Sequence, residues 1–153
     1  MTDKAELTAR EAETWMAFRT EVDAFTREQM ELPTANADGW SIKDVLWHIA
    51  HWWSDLAGMI EEVNEGKPFV EPPEDDEATT AENARVLEEG RALALDDVIG
   101  GVANARARLL AVWLELAQVD EALEQWFVWE TIEHYAEHLE DVRRVAEEAG
   151  GSR

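Results

Sequence analysis

The run Glu133-His134-Tyr135-Ala136-Glu137-His138-Leu139-Glu140 carries two histidines four residues apart. In a helix, residues i and i+4 lie one turn apart on one face, so both imidazoles can reach a single point. Imidazoles converging in this way commonly hold a transition metal. The chain has 4 histidines in all. The other two, His48 and His51, lie together in a second strongly helical segment, which can supply a third ligand. There are no cysteines. A metal site must therefore be built from nitrogen and oxygen donors, and thiol chemistry would need an external small-molecule thiol.

The elements that must position these residues can be read from apolar periodicity. Leu7, Trp15, Phe18, Val22 and Phe25 recur at spacings of mostly three and four, which predicts a first helix from near Lys4 to about Glu31. Leu32-Pro33 ends it, and Thr34 to Trp40 reads as a loop. Ser41 is placed as an N-cap with Asp44 in the capping-box position. The second helix follows to about Asn64 and is stopped by Gly66-Lys67-Pro68. Residues 65–78 are proline-rich and acidic and read as a crossover loop, followed by a short helix over Thr80 to Gly90. Asp96 is expected to cap a third long helix through Leu116. A fourth is expected from Trp126 or Trp129 to Ala149, ended by Gly150-Gly151. No alternating strand pattern is present. The expected architecture is all-α: a single domain over residues 1–153, forming a four-helix bundle with one long crossover loop and a short extra helix.

Helical geometry places His48 roughly 90° from the mean apolar direction of its helix and His51 roughly 150° away, near the solvent face. In the fourth helix His138 falls roughly 90° and His134 roughly 130° from the direction set by Ile132, Tyr135, Ala136, Leu139 and Val142. Three histidines thus stand at helix margins, where a solvent-accessible cleft can form, and His51 reads as a bystander. Glu130 or Asp141 is placed to act as a fourth ligand or as an acceptor behind a ligand.

The formal net charge is −22, from 35 acidic and 13 basic side chains. Such a surface repels phosphate backbones and anionic lipid, which argues against nucleic-acid and membrane partners. No apolar run reaches the roughly 18 residues of a membrane span, and the N-terminus lacks a signal-peptide stretch, so a cytoplasmic protein is expected. The 8 tryptophans supply much apolar area, which points to the interface of a homodimer or is absorbed by a single core.

The stretch Gly39-Trp40-Ser41-Ile42-Lys43-Asp44-Val45-Leu46-Trp47-His48-Ile49-Ala50-His51-Trp52 resembles the start of the second helix in the DinB-like (YfiT-like) metal-binding bundle superfamily, with its pattern W-S-x-K-D-x-L-x-H-[LI]. Glu133 to Asp141 is similar to the superfamily's second motif, H-x-x-x-H, on the last helix. The resemblance covers nearly the whole chain. It implies a metal triad of His48, His134 and His138, a divalent ion such as zinc or nickel, and frequent dimers. Relatives with known activity include thiol-dependent S-transferases and a mycothiol-dependent maleylpyruvate isomerase. Asn83 and the His134-Tyr135 pair also resemble the ClbS/DfsB branch, associated with self-protection against a cyclopropane-bearing genotoxin.

The expected chemistry follows from three protein ligands with open positions, the arrangement of a catalytic metal. Such a centre lowers the pKa of water or of a low-molecular-weight thiol, for hydrolysis or S-transfer on a small-molecule substrate. Trp47, Trp52 and Tyr135 are candidates to line the mouth. His134-x-x-Glu137-His138 formally matches the inverted zinc-peptidase motif, which a short all-helical chain does not support. The alternative is a non-catalytic bundle that binds or sequesters a small compound, or a dimeric scaffold with a residual metal.

Overall fold

A computed structural model describes residues 3–33 and 39–151 of the chain. It is all-helical, and the described residues contain no strand. The order is α1 (Lys4–Val22), α2 (Arg27–Glu31), α3 (Ile42–Asn64), α4 (Asp76–Arg91), α5 (Leu95–Glu115) and α6 (Glu121–Val128), then a π-helical turn (Trp129–Glu133) and α7 (His134–Gly151). The four long rods of the bundle are α1, α3, α5 and the α6–π–α7 continuation. The expected loop at Thr34 to Trp40 lies largely outside the described residues.

Helix α3 forms as expected. The Ser41 hydroxyl accepts from the Asp44 amide at 3.1 Å while the Asp44 carboxylate accepts from the Ser41 amide at 2.9 Å, a reciprocal capping box. Its C-terminus closes on Gly66, whose φ of 97° is open to glycine at no steric cost. The Gly66 amide then donates to Val63 O at 2.9 Å and the Lys67 amide to Glu62 O at 3.0 Å.

Four boundaries differ from expectation, each for a local reason. The first helix breaks at Asp23, because Thr26 and Gln29 form their own capping box and start α2. The extra helix starts earlier than Thr80, at Asp76, with the Asp75 carboxylate accepting from the Ala78 amide. Helix α5 starts at Leu95 behind Ala94, which offers no side-chain cap, and Asp96 sits inside the first turn where it favours the helix dipole. The last rod begins at Glu121, capped by Asp120, rather than at Trp126 or Trp129, and continues through Gly150 to Gly151.

α3 lies at the centre, packed against α5 and α4 and touched by α2, α7 and the π turn. The core is aromatic. Trp113 stacks on Phe127 with centroids 3.8 Å apart, and Trp15 meets Trp53 edge-on at 4.9 Å. A buried polar brace crosses this core. The Glu11 carboxylate of α1, 1% exposed, accepts two hydrogen bonds from the Arg106 guanidinium of α5, at 3.0 and 2.7 Å. It accepts a third at 2.8 Å from the Tyr135 hydroxyl of α7. One carboxylate thereby ties three helices together, and α7 is pinned at the residue next to His134.

Candidate metal centre

α3 contributes His48, and the first turns of α7 contribute His134 and His138. The Nε2 atoms of His48 and His134 are 3.1 Å apart, as are those of His134 and His138. All three rings are buried, at 9%, 8% and 7% exposure. This is deeper than the marginal positions expected from the helical wheel. Along the π turn and α7 the buried stripe is Thr131, His134, Tyr135, His138 and Val142, whereas Ala136 is exposed and Leu139 only half-buried. Averaging apolar side chains alone turned the inward direction away from residues that face a polar cavity.

The π turn lies immediately before the pair. Its wider winding inserts extra backbone into the rod, and the Thr131 hydroxyl caps the widened turn by donating to Phe127 O at 2.6 Å. On the outer side of the triad, His138 Nδ1 donates to the Asp141 carboxylate at 3.0 Å. That bond holds the His138 proton on Nδ1 and leaves its Nε2 lone pair facing the other rings. The Glu130 carboxylate stands 3.9 Å from His134 Nδ1. Trp40 flanks the group, with its ring 5.0 Å from that of His48 and 6.4 Å from that of His138.

Protonation logic shows that this group fits a cation. Each Nε2 has a single in-plane direction, taken by either a proton or a lone pair. His134 Nε2 is common to both 3.1 Å contacts, so at most one of them can be a hydrogen bond. The other is then left without a proton aimed along it, as two facing lone pairs, two facing protons or a lone pair beside an N–H that points elsewhere. A metal ion removes the conflict, because it accepts three lone pairs at once. Nitrogens bonded to zinc at about 2.0–2.1 Å in tetrahedral array stand about 3.3 Å apart, close to the separations here. Burial also keeps the His48 and His134 rings neutral. It lowers the pKa of His48 to about 2, with His138, His134 and His51 adding repulsion. Burial and then His138 lower that of His134 to about 3. Glu130 moves the other way, to about 7, through burial and the neighbouring Asp55 and Glu137 carboxylates.

The triad opens onto a cavity of about 1030 Å³ between α3, α4, the crossover and the last rod. Of the residues expected at the mouth, Trp52 lines this cavity, with its indole N–H donating to Asn83 Oδ1 of α4 at 3.0 Å. Two expectations are corrected. Tyr135 is fully buried and turned toward Glu11, because its hydroxyl finds a charged acceptor in the core. Trp47 lies off the cavity, wedged between Gly90 of α4 and Gly101 of α5, where only glycine leaves room for the indole. His51 stays out of the cluster and pairs with Glu82 at 3.3 Å. Sequence reasoning missed Trp126, Trp129 and Asp55 in the walls. It used Trp40 only as part of a motif, although that tryptophan sits against two of the histidines.

The chain matches the family described as the mycothiol maleylpyruvate isomerase N-terminal domain over residues 11–149. No curated protein matches it. A crystal structure of an uncharacterised protein from Escherichia coli UTI89 is similar in fold, with a TM-score of 0.78 over 96% of this chain and 94% of that one. Identity between the two is 13%, so the likeness speaks for the fold alone. Among the described residues no helix is long and apolar enough to cross a membrane.

Proposed function

Because the chain belongs to the mycothiol maleylpyruvate isomerase N-terminal domain family, within the DinB/YfiT-like superfamily, we propose that it is a metal-dependent enzyme acting on a small molecule, with His48, His134 and His138 as ligands of a divalent ion. The observation that carries this reading is the convergence of three Nε2 atoms, 3.1 Å apart in two pairs, at the floor of a large cavity. Three imidazoles suit zinc or nickel. When bound, such an ion supplies Lewis acidity toward water or a soluble thiol, for hydrolysis or S-transfer.

The chain's own residues supply positioning. Asp141 fixes the His138 tautomer and so aims its lone pair inward. Trp40 covers the outer face of the His48 and His138 rings and restricts water there. The Asn83 bond holds the Trp52 indole as a fixed wall beside the triad. With no cysteine in the chain, a transferred thiol must come from a low-molecular-weight cosubstrate, and the cavity has room for both partners. The cytoplasm is the compartment that such a thiol implies.

Elemental analysis of purified protein tests the reading. The wild type should carry about one divalent ion per chain and a His134→Ala/His138→Ala double variant none. Equal, negligible metal in both would refute it. Turnover of a bound small molecule, as opposed to stoichiometric retention, separates catalysis from sequestration.

A further inference from the structure

We propose that the cavity above the histidine triad selects an organic cation with an aromatic or apolar body. The inference deepens the proposed function by assigning its substrate class. It rests on that cavity being the binding site and not on the metal being present.

Four of the chain's 8 tryptophans line this one cavity: Trp40, Trp52, Trp126 and Trp129. They are not loose. Trp52 is tied to Asn83 at 3.0 Å, and Trp126 and Trp129 pack edge-to-face with centroids 5.4 Å apart. Trp129 nonetheless leaves 43% of its surface exposed. A large rigid ring kept partly in water in a cavity wall offers a face for an apolar or cationic group.

The charged part of the walls is predominantly acidic. Asp55, Glu130, Glu137 and Asp141 face the cavity from the helices. Glu74, Asp75 and Asp76 face it from the crossover and the start of α4. Among the described residues that line it, Arg144 is the single lysine or arginine. The seven-to-one excess is far steeper than the 35 to 13 of the whole chain. Two of the carboxylates already serve the fold, Asp75 as the cap of α4 and Asp141 behind His138. Among the described residues, Asp55, Glu74, Asp76 and Glu137 make no ion pair with lysine or arginine. Even a divalent ion on the triad leaves the walls net negative. Low-dielectric tryptophan faces next to unpaired carboxylates strengthen attraction for a cation and repulsion of an anion. A neutral polar ligand gains from neither.

Calorimetry with three probes that share an indole body tests the assignment: trimethyltryptammonium, tryptophol and indole-3-acetate, each titrated into chelator-stripped and zinc-supplemented protein. The quaternary ammonium cannot ligate a metal, so its binding reports the walls alone. In stripped protein the cation should bind about tenfold or more tighter than the alcohol, and the carboxylate weakest. The cation's affinity should fall as salt is raised. A Glu74→Gln/Glu137→Gln double variant, altered only at exposed positions, should reduce the cation preference several-fold with an unchanged circular dichroism spectrum. Equal affinities for the three probes, tightest binding of the carboxylate in stripped protein, or a preference untouched by the double variant would each overturn the proposal. Zinc uptake without cation preference overturns this inference and leaves the metal centre standing. Cation preference without zinc uptake supports this inference and removes the metal centre.

Discussion

An alanine at position 90 will destabilise the protein, and the same alanine will stabilise it once Trp47 has been removed. A Cβ on Gly90 would lie 2.6, 2.9 and 3.1 Å from Cδ1, Cγ and Cβ of Trp47. Ordinary contact begins near 3.4 Å. The crowded atoms include the base of the tryptophan, so a new rotamer gives no relief, and α3 or α4 must shift by several tenths of an ångström. Overpacking of this kind costs about 1–3 kcal/mol. Replacing a helical glycine returns up to about 1 kcal/mol. The net loss for Gly90→Ala is therefore about 1–2 kcal/mol. In a Trp47→Ala background only the propensity gain remains, so the two positions should couple by about 2–3 kcal/mol. Gly100 is the control, because a Cβ there meets nothing within 4 Å. Gly100→Ala should stabilise by up to about 1 kcal/mol in both backgrounds. Urea denaturation followed by far-ultraviolet circular dichroism measures all of these at a common slope. If Gly90→Ala has the same effect with and without Trp47, the wedge does not exist.

Asp141→Asn should weaken metal affinity about 10- to 100-fold by loosening the His138 tautomer; competition with a chelating dye reads this, and unchanged affinity would remove the positioning role. Tyr135→Phe should cost about 1.5–3 kcal/mol by taking a donor from the buried Glu11 carboxylate, and Glu11→Ala about 3–5 kcal/mol by stranding Arg106, both in urea melts and both without change in metal stoichiometry. The metal-free protein should lose stability as pH falls below 6.5. The unfolded chain then protonates His48 and His134, whereas the folded chain resists until about 2 and about 3. Each histidine contributes about 1.4 kcal/mol per pH unit, or about 4 kcal/mol for the pair at pH 5. Glu130, raised from 4.5 to about 7 in the fold, works in the opposite sense and offsets about 2 kcal/mol of that loss. Glu130→Gln should therefore steepen the acid sensitivity, and a flat stability profile between pH 7 and 5 in that variant would contradict the buried, neutral histidines.

The bundle was legible where sequence signals were local and mutually consistent. Ser41 and Asp44 announce the start of α3, Gly66 announces its end, and the i,i+4 histidines share a face because helical geometry requires it. Two kinds of information were out of reach. One is the partner of a polar group across the core: nothing near Tyr135 in the chain points to Glu11, 124 residues away, so an aromatic beside a histidine was read as a mouth residue. The other is a polar cavity inside the bundle. Exposed Ala136 and half-buried Leu139 pull the averaged apolar direction of the last helix away from that cavity and put the histidines too near the surface. The Thr26–Gln29 capping box was visible in the chain, but the apolar stripe running through Phe25 masked it.

The π turn also makes the last rod sensitive to a kind of change that substitutions do not probe. α6 carries Trp126 into the cavity wall and α7 carries the histidine pair, and the five residues between them set the angular offset of one against the other. Deleting one residue within 129–133 would let the segment rewind as ordinary α-helix with α6 and α7 still nearly in phase, because the π turn already absorbs one extra residue. Deleting a second would rotate the two halves relative to each other by about a quarter turn. The pair would keep its spacing and the bundle its hydrophobic seams on at least one side, yet His48 would face only part of its triad. Length within this segment is thus a constraint separate from composition. Descendants of this chain that vary freely in residue type at 129–133 should be able to lose one position there, but not two, and keep the site.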